Sequence, residues 1–195
     1  MKLRKIYDLT QELFGAEVFP GDPVPARTRV LALEQGDSCQ LTEMRMGSHS
    51  GTHLDAPCHF IEGGKGTDTM NLSRCIGMCR LVEAEGKITA ELVRDWLSDG
   101  CRRLLIRGQI EITPEAARAM AEADLYLLGV EGMTVGSFAN IAAVHKILLG
   151  HEIVIVESLR MGGVPEGDYL LSALPLKMEG LDGSPVRAVL VEIDG

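Results

Sequence analysis

Residues 48–60 concentrate the residue types that bind metals and move protons. Three of the five histidines of the chain lie here, and an aspartate stands between the second and the third. His53 and Asp55 are two positions apart and would face the same side of an extended segment. His49 precedes His53 by four positions, but the intervening Gly51 argues against a helix that would put both imidazoles on one face. Nitrogen and oxygen ligands of this kind suit Zn²⁺, Mn²⁺ or Fe²⁺, so the stretch predicts a metal site.

Two other interpretations of this stretch compete with a metal site. The histidines could form only hydrogen bonds within a loop, as a single histidine usually does, although three of them beside an aspartate favour metal binding. Cys58, next to His59, could be a nucleophile activated by an imidazole. Because adjacent residues of an extended chain point to opposite faces, we interpret Cys58 as a packing residue.

Length, composition and charge limit the class of protein. The chain has 195 residues, 46% of them hydrophobic and 24% charged, which suits one globular domain spanning residues 1–195. The net charge of −9 and the aromatic content of 4% disfavour nucleic acid as a partner, since nucleic-acid binding draws on clustered Lys and Arg. We therefore expect a small-molecule substrate.

Location and cysteine use can also be predicted. Residues 1–10 alternate polar and apolar side chains and lack the apolar stretch of a signal peptide. No later segment reaches the roughly 20 apolar residues of a membrane span. The five cysteines are an odd number without a CxxC pair, which argues against a disulfide framework or a thiolate zinc site. The expectation is a cytoplasmic protein that does not bind membranes.

The first part of the chain is predicted to consist of strands and turns. Residues 3–9 are a predicted strand, and the proline-rich segment 19–25 is a stiff pocket wall or a surface connection. Residues 28–34 and 41–46 are predicted to form a hairpin that leads into the histidine stretch. The histidines would then lie at the end of a strand, where sites are commonly carried on a rigid scaffold.

From about residue 79 onward, strands alternate with helices. Predicted strands cover residues 79–84, 103–107, 125–130 and 153–157, and predicted helices cover residues 89–97, 113–123 and 137–149. Two further strands, 168–176 and 186–193, flank a turn at 179–185 and are expected to group with the early hairpin. Strand–helix–strand succession implies crossover connections. The predicted fold is therefore α/β, a mixed parallel and antiparallel sheet with flanking helices.

The segment His49–Phe60 also resembles a known family signature. Its sequence, His-Ser-Gly-Thr-His-Leu-Asp-Ala-Pro-Cys-His-Phe, matches every fixed position of HxGTHxDxPxHF. That signature is typical of the cyclase family of metal-dependent hydrolases, which includes bacterial kynurenine formamidases and isatin hydrolases. Residues 163–176 and 182–188 are similar to the C-terminal pattern of that family, and residues 19–22 to its early pocket loop. The resemblance implies a single domain of the swivelling β/β/α type.

The resemblance implies a set of metal ligands. His49, His53 and Asp55 would hold a first ion, and Asp55 would also reach a second ion. His145 would bind the second ion, and Glu157, twelve residues later, would bridge both. The residues themselves indicate only that a glutamate at the end of an apolar strand is costly to bury without a partner such as a cation.

The resemblance further implies the other parts of an active site. His59 would be the catalytic proton shuttle, and Phe19 would line the substrate pocket. Zinc is the favoured metal and manganese the alternative, with one or two ions per chain, and a homodimer or homotetramer is expected. His151 lies in a predicted turn and is expected to be solvated.

Departures from the family pattern concern the substrate. Phe19 stands where kynurenine formamidases have a tryptophan, so an aromatic wall remains without the indole N–H. Residues 131–136 stand where the family often has two aspartates and a serine. The segment 107–114 is shorter than the corresponding segment of the family. The metal ligands are intact, so these differences bear on what the protein would act on.

We therefore expect a metal-dependent amidohydrolase. Its substrate would be a small amide, an aryl formamide such as N-formylkynurenine or a cyclic amide, attacked by an activated water while His59 transfers the proton. Two alternatives remain open. One is a metal-dependent lyase or cyclase acting on a small hydroxy acid or lactone. The other is a metal-dependent binding protein without turnover, which the short segment 107–114 motivates.

Overall fold

A computed structural model describes residues 3–193, in which thirteen strands and three helices are formed. The strands are β1 (Leu3–Asp8), β2 (Ala26–Leu31), β3 (Leu41–Arg45), β4 (His53–Asp55), β5 (Ile76–Glu83), β6 (Gly86–Ile88), β7 (Arg103–Arg107), β8 (Ile110–Ile112), β9 (Leu127–Val130), β10 (Val154–Glu157), β11 (Gly167–Ser172), β12 (Gly183–Pro185) and β13 (Val189–Ile193). The helices are α1 (Ala90–Trp96), α2 (Pro114–Glu122) and α3 (Ile141–Gly150). None of these helices is long and apolar enough to cross a membrane.

Nine of the strands form one mixed sheet in the order β1-β13-β11-β5-β7-β9-β10-β4-β12. The four strands β5, β7, β9 and β10 are parallel, and the strands on both sides of them are antiparallel. Parallel neighbours need crossover connections, which α1, α2 and α3 supply in turn. The predicted α/β fold with a mixed sheet and flanking helices is therefore confirmed.

Two of the helices begin where the sequence predicts. The Thr89 hydroxyl accepts a hydrogen bond from Leu92 N at the start of α1, and the Thr113 hydroxyl accepts one from Ala116 N at the start of α2. The prediction for α3 was wrong by four residues, because Ser137 N donates to the Asn140 side chain in a turn that delays the helix.

The sheet separates two apolar clusters. One fills the space between the sheet and the three helices and includes Ile106, Met120, Leu128 and Leu148. The other lies on the opposite face, under the first and last strands and the loops that follow β10. Both faces of β7, β9 and β10 are thus buried, which explains the apolar residues at their centres.

Two expectations about strand placement were wrong. The strands near the C-terminus, β11 and β13, pair with β5 and β1, while the β2–β3 hairpin forms a separate two-stranded sheet. Residues 183–185, predicted as part of a turn, form β12. Residues 53–55, expected to be extended, do form a strand of the main sheet. Whether a short segment forms a strand depends on pairing with segments distant in sequence, and local sequence patterns do not reveal that pairing.

Candidate metal centre

Strand β4 carries two of the predicted ligands on one face. His53 and Asp55 are both buried, and the two-residue repeat of a strand turns them to the same side. Strand β10 runs antiparallel beside β4 and places Glu157 directly opposite His53. On its other edge, β4 pairs with β12. The ligand side chains therefore project from a strand held on both edges.

The loop before β4 is shaped by a glycine and a buried threonine. Gly51 has a φ of 66°, and a Cβ at this position would lie 3.1 Å from Leu13 Cδ1, so only glycine fits without strain. The Thr52 hydroxyl donates to Ser158 O at 2.7 Å and accepts from Gln11 N at 3.0 Å. These contacts tie the histidine loop to the end of β10.

Helix α3 supplies a third imidazole. His145 Nδ1 donates to Ile141 O at 2.8 Å, and the ring of Phe60 stacks on His145 with centroids 4.5 Å apart. His53 Nδ1 similarly donates to Gly51 O at 2.8 Å. Because a carbonyl oxygen only accepts, both rings carry hydrogen on Nδ1 and present Nε2 to the carboxylates. An imidazole oriented in this way by its second nitrogen is typical of metal ligands.

Two buried carboxylates, those of Asp55 and Glu157, each contact His53 with one oxygen and His145 with the other. Asp55 Oδ1 lies 3.4 Å from His53 Nε2, and Asp55 Oδ2 lies 3.5 Å from His145 Nε2. Glu157 Oε2 lies 3.5 Å from His53 Nε2, and Glu157 Oε1 lies 3.4 Å from His145 Nε2. Val135 N also donates to Glu157 Oε1 at 3.1 Å. The four groups form a closed ring in which imidazoles and carboxylates alternate.

These separations fit a shared cation better than direct hydrogen bonds. Charge-assisted N–H···O bonds measure about 2.7–2.9 Å, and all four contacts are longer. Two ligand atoms at about 2.0–2.1 Å from one tetrahedral ion lie about 3.3–3.4 Å from each other. The four side chains are almost completely buried, so their two negative charges need a positive partner. The donor set therefore fits a divalent cation.

His49 and His59 extend the cluster on its open side. His49 Nδ1 lies 2.9 Å from Asp55 Oδ1, and His49 Nε2 lies 3.1 Å from Asp182 Oδ2. His59 Nδ1 is 3.5 Å from the same oxygen of Asp182. Two groups have ligand atoms that all lie within 4.8 Å of one another: His49, Asp55 and His59, and His53, Asp55 and Glu157. The structure thus offers two candidate ion positions that share Asp55.

Burial and charge shift the pKa values of these groups in opposite directions. Burial opposes protonation of His53, but Asp55 and Glu157 beside it raise its pKa to about 10, and the same balance raises the pKa of His145 to about 10. Burial opposes ionisation of Asp55, but His145, His49 and His53 hold its pKa well below the ordinary value. Burial is the largest influence on His59 and lowers its pKa. A neutral His59 can accept a proton near pH 7.

A cavity of about 240 Å³ opens onto the cluster. Its apolar walls consist of Phe19, Phe60, Met133 and Ile141. The exposed carboxylates of Glu17 and Asp22 also line it, and no lysine or arginine of residues 3–193 does so. The ring centroid of Phe19 lies 6.0 Å from that of Phe138. The cavity suits a small ligand with an apolar part.

The structure brings every predicted site residue to this one place. His49, His53, His59, His145 and Glu157 line the cavity together with Phe19, and Asp55 lies directly behind them. Their individual roles remain predictions. Of the two segments that depart from the family pattern, 131–136 contributes Met133 and Thr134 to the cavity lining, whereas 107–114 contributes no residue.

Cys58 and His151 do not line the cavity. The Cys58 thiol contacts Leu181 O at 3.6 Å, and burial raises its pKa, so a thiolate nucleophile is disfavoured. His151 is exposed at the end of α3, where its Nδ1 lies 2.8 Å from Ile147 O.

Sequence reasoning missed several residues of the site. Asp182 contacts His49 and His59, whereas the sequence indicates only that it belongs to the C-terminal pattern. Ser158, which follows Glu157 with a φ of 57°, also lines the cavity. An aspartate before a glycine in a predicted turn gives no local sign of a distant histidine partner. The family resemblance of residues 182–188 was the one signal that could have drawn attention to it.

Comparison with known proteins places the chain in a family. The family model described as Putative cyclase matches residues 7–137. The chain belongs to the cyclase family. A kynurenine formamidase of Maricaulis maris (strain MCS10) is 31% identical to it, over 98% of this chain and 100% of that protein. The resemblance predicted from residues 49–60 is therefore confirmed.

Solved structures show the same cyclase-family fold. A protein described as a potential metal-dependent hydrolase with cyclase activity superposes with a TM-score of 0.79 and 27% identity, covering 98% of this chain and 99% of that one. Isatin hydrolase A from Labrenzia aggregata gives a TM-score of 0.81 at 22% identity, covering 96% and 93%. The second likeness bears on the fold alone.

Proposed function

We propose that this cyclase-family protein is a metal-dependent hydrolase of a small amide, an aryl formamide or a related cyclic amide. The observation that carries the proposal is the closed ring of Asp55, Glu157, His53 and His145, whose contacts of 3.4–3.5 Å fit a divalent cation at the floor of a cavity. The name of the similar kynurenine formamidase supports amide chemistry. Zinc is the favoured metal and manganese the alternative, because the ligands are imidazoles and carboxylates.

Different residues of the chain would bind the metal and transfer the proton during hydrolysis. A divalent cation bound at this site supplies Lewis-acid polarisation and acidifies a water molecule. His49, His53, Asp55, His145 and Glu157 would hold one or two such ions. His59, half-buried at the cavity and with a lowered pKa, takes a proton from the attacking water and returns it to the departing amine nitrogen.

The aromatic walls would orient the substrate. Phe19 and Phe60 face the cavity from two different loops and can contact an aryl ring, while the amide group reaches the histidines at the floor. The volume of about 240 Å³ is small for a ligand site, which favours a single-ring substrate.

The decisive experiment measures bound metal and turnover together. Protein purified without chelator is assayed for zinc and manganese content and for hydrolysis of N-formylaniline, before and after metal removal. Loss of turnover on removal and its return with zinc would support the proposal. Full activity of the metal-free protein would refute it.

The two alternative functions predict different products. A lyase or cyclase would convert hydroxy acids or lactones and leave amides intact, so product identification on a panel of the three separates it from a hydrolase. A binding protein without turnover would bind the aryl amide tightly and release it unchanged. The short segment 107–114, which is the reason to consider a protein without turnover, contributes no residue to the cavity lining.

We also propose that the chain forms a homodimer or homotetramer. The β2–β3 hairpin is exposed along its length and carries apolar side chains, Val30, Leu41 and Met44, each more than half exposed. A two-stranded hairpin is marginally stable alone, so a second copy of the chain would stabilise it. Light scattering tests this: Met44→Glu should lower the measured mass, whereas Leu72→Glu, at another exposed site, should leave it unchanged.

A further inference from the structure

The carboxylate of Asp182 lies between two of the site histidines. Its Oδ2 is 3.1 Å from His49 Nε2 and 3.5 Å from His59 Nδ1, and its Oδ1 accepts a hydrogen bond from the Ser48 hydroxyl at 2.9 Å. The ring centroids of His49 and His59 are 4.1 Å apart. One oxygen of Asp182 therefore contacts a candidate metal ligand and the candidate proton carrier together.

The position of Asp182 is set by the edge of the main sheet. Ala56 N donates to Asp182 O at 2.8 Å, and the next residue, Gly183, pairs with Asp55 across β4 and β12. A Cβ on Gly183 would lie 2.6 Å from His49 Cε1, so the imidazole rests directly on the glycine backbone. The carboxylate is thus fixed relative to His49 by backbone pairing, although its side chain is partly exposed.

Asp182 is the carboxylate in closest contact with the His59 ring among residues 3–193. Within residues 3–193, Asp182 is the only carboxylate that has an oxygen within 4.0 Å of a His59 ring nitrogen. The rings of His49 and Phe60 also lie close to His59, with centroids at 4.1 and 4.6 Å, and an oxygen of Asp55 lies within 4.8 Å of a His59 nitrogen. Asp182 makes its contact with Nδ1, so it favours hydrogen on that nitrogen.

We propose that Asp182 is a positioning residue that keeps hydrogen on His59 Nδ1 and leaves Nε2 free to accept a proton. This rests on the proposed function, in which His59 is the proton carrier. A carboxylate behind a catalytic imidazole fixes both the ring orientation and the tautomer, and its loss lowers turnover without removing the imidazole. A contact of 3.5 Å without substrate is compatible with this role, because such hydrogen bonds often shorten only in the reacting complex.

The tautomer of His59 gives a test that needs no substrate. Zinc-loaded protein with ¹⁵N-labelled histidine is examined by long-range ¹H–¹⁵N correlation NMR, with His59→Gln used to assign the signals. In the wild type we expect the pattern of hydrogen on Nδ1, and in Asp182→Asn a mixture of both tautomers. Asp168→Asn, an exposed aspartate on the distant strand β11, should match the wild type. An unchanged His59 pattern in Asp182→Asn would overturn the proposal.

Kinetics gives the second test. At saturating zinc, Asp182→Asn should lower kcat on N-formylaniline by about 10- to 100-fold and change KM less than about twofold. Asp182→Glu should recover part of the loss, and Asp168→Asn should have wild-type kcat. Wild-type kcat in Asp182→Asn would overturn the proposal. If the wild type hydrolyses no amide but the tautomer still shifts, the proposed function fails while the positioning of His59 stands.

Discussion

Asp55 and Glu157 lie on neighbouring antiparallel strands, and each carboxylate reaches the same two imidazoles, His53 and His145, with a different oxygen. These crossed contacts link the four side chains into one unit. They also mean that removal of either histidine leaves both carboxylates buried and short of a partner, which is costly.

Removal of a ligand imidazole should therefore abolish metal binding and turnover together. His53→Ala and His145→Ala should lose stoichiometric zinc and lower kcat/KM by more than ~100-fold, since even partners behind metal ligands are worth 10- to 100-fold. Elemental analysis and a formamide assay measure the two effects. His151→Ala, which changes an exposed histidine at the end of α3, is the matched control. Full zinc content in either ligand variant would contradict the assignment.

Truncation of His59 should separate chemistry from metal binding. His59→Ala should retain zinc and lower kcat by roughly 10²- to 10⁴-fold, which is the usual contribution of general acid–base catalysis. The reason is that the side chain faces the cavity and touches Asp182, while the four buried groups of the ring do not depend on it. Parallel loss of zinc would instead place His59 among the ligands, next to His49 and Asp55.

The stability of the metal-free protein should depend on pH in a defined direction. His53 and His145 have folded pKa values of about 10, above the unfolded value of about 6.5, so they take up protons on folding. Their stabilising contribution is complete below about pH 6.5 and is lost as pH rises toward 10. Asp55 acts oppositely: its lowered pKa stabilises the fold above about pH 3.9, and that contribution is lost in more acidic solution.

Thermal unfolding between pH 6 and 9 measures this dependence. After chelation, Tm should fall as pH rises, by about 2–4 °C for each 1 kcal/mol lost in a chain of this size. With zinc, the fall should be absent or reversed, because the ligands bind in their deprotonated form. A metal-free Tm that stays constant or rises from pH 6.5 to 9 would contradict the raised histidine pKa values.

The rim of the cavity should select against negatively charged substrates. Glu17 and Asp22 are exposed, no residue of 3–193 forms an ion pair with them, and no basic residue of the same range lines the cavity. Two carboxylates about 8 Å from a substrate charge in water are each worth about 0.5 kcal/mol. N-formylaniline with a para-carboxylate should therefore have a kcat/KM about fivefold below that of a neutral analogue.

Two variants make the charge test specific. Glu17→Gln and Asp22→Asn should each reduce the preference for the neutral substrate, and added salt should reduce it in the wild type. Equal kcat/KM values for both substrates in the wild type would show that the rim does not act on substrate charge.

The aromatic wall should affect substrate binding more than chemistry. Phe19→Ala removes a ring that lines the cavity but contacts none of the ligand side chains, so KM for an aryl formamide should rise by about tenfold and kcat should change little. Phe19→Trp should preserve binding, because an aromatic ring remains. A large fall in kcat with an unchanged KM would show that Phe19 affects the reacting centre instead.

The sequence by itself predicted most of the secondary-structure elements and, through the motif and the family resemblance, the candidate metal ligands. The apolar runs at 125–130 and 153–157 predict buried strands, and the Thr89 and Thr113 caps predict where two helices begin, because these signals depend on residues close in the chain. The motif at 49–60 predicts the family for the same reason, since its chemistry is contained within twelve residues.

Only the tertiary structure decided how the site is assembled. That His53 faces Glu157 depends on the antiparallel pairing of β4 with β10, about a hundred residues apart, and no local periodicity encodes that register. The contact of Asp182 with His49 and His59 depends likewise on β12, a three-residue strand within a predicted turn. Strand pairing between distant segments is set by packing of the whole sheet, so it was beyond the reach of local sequence patterns.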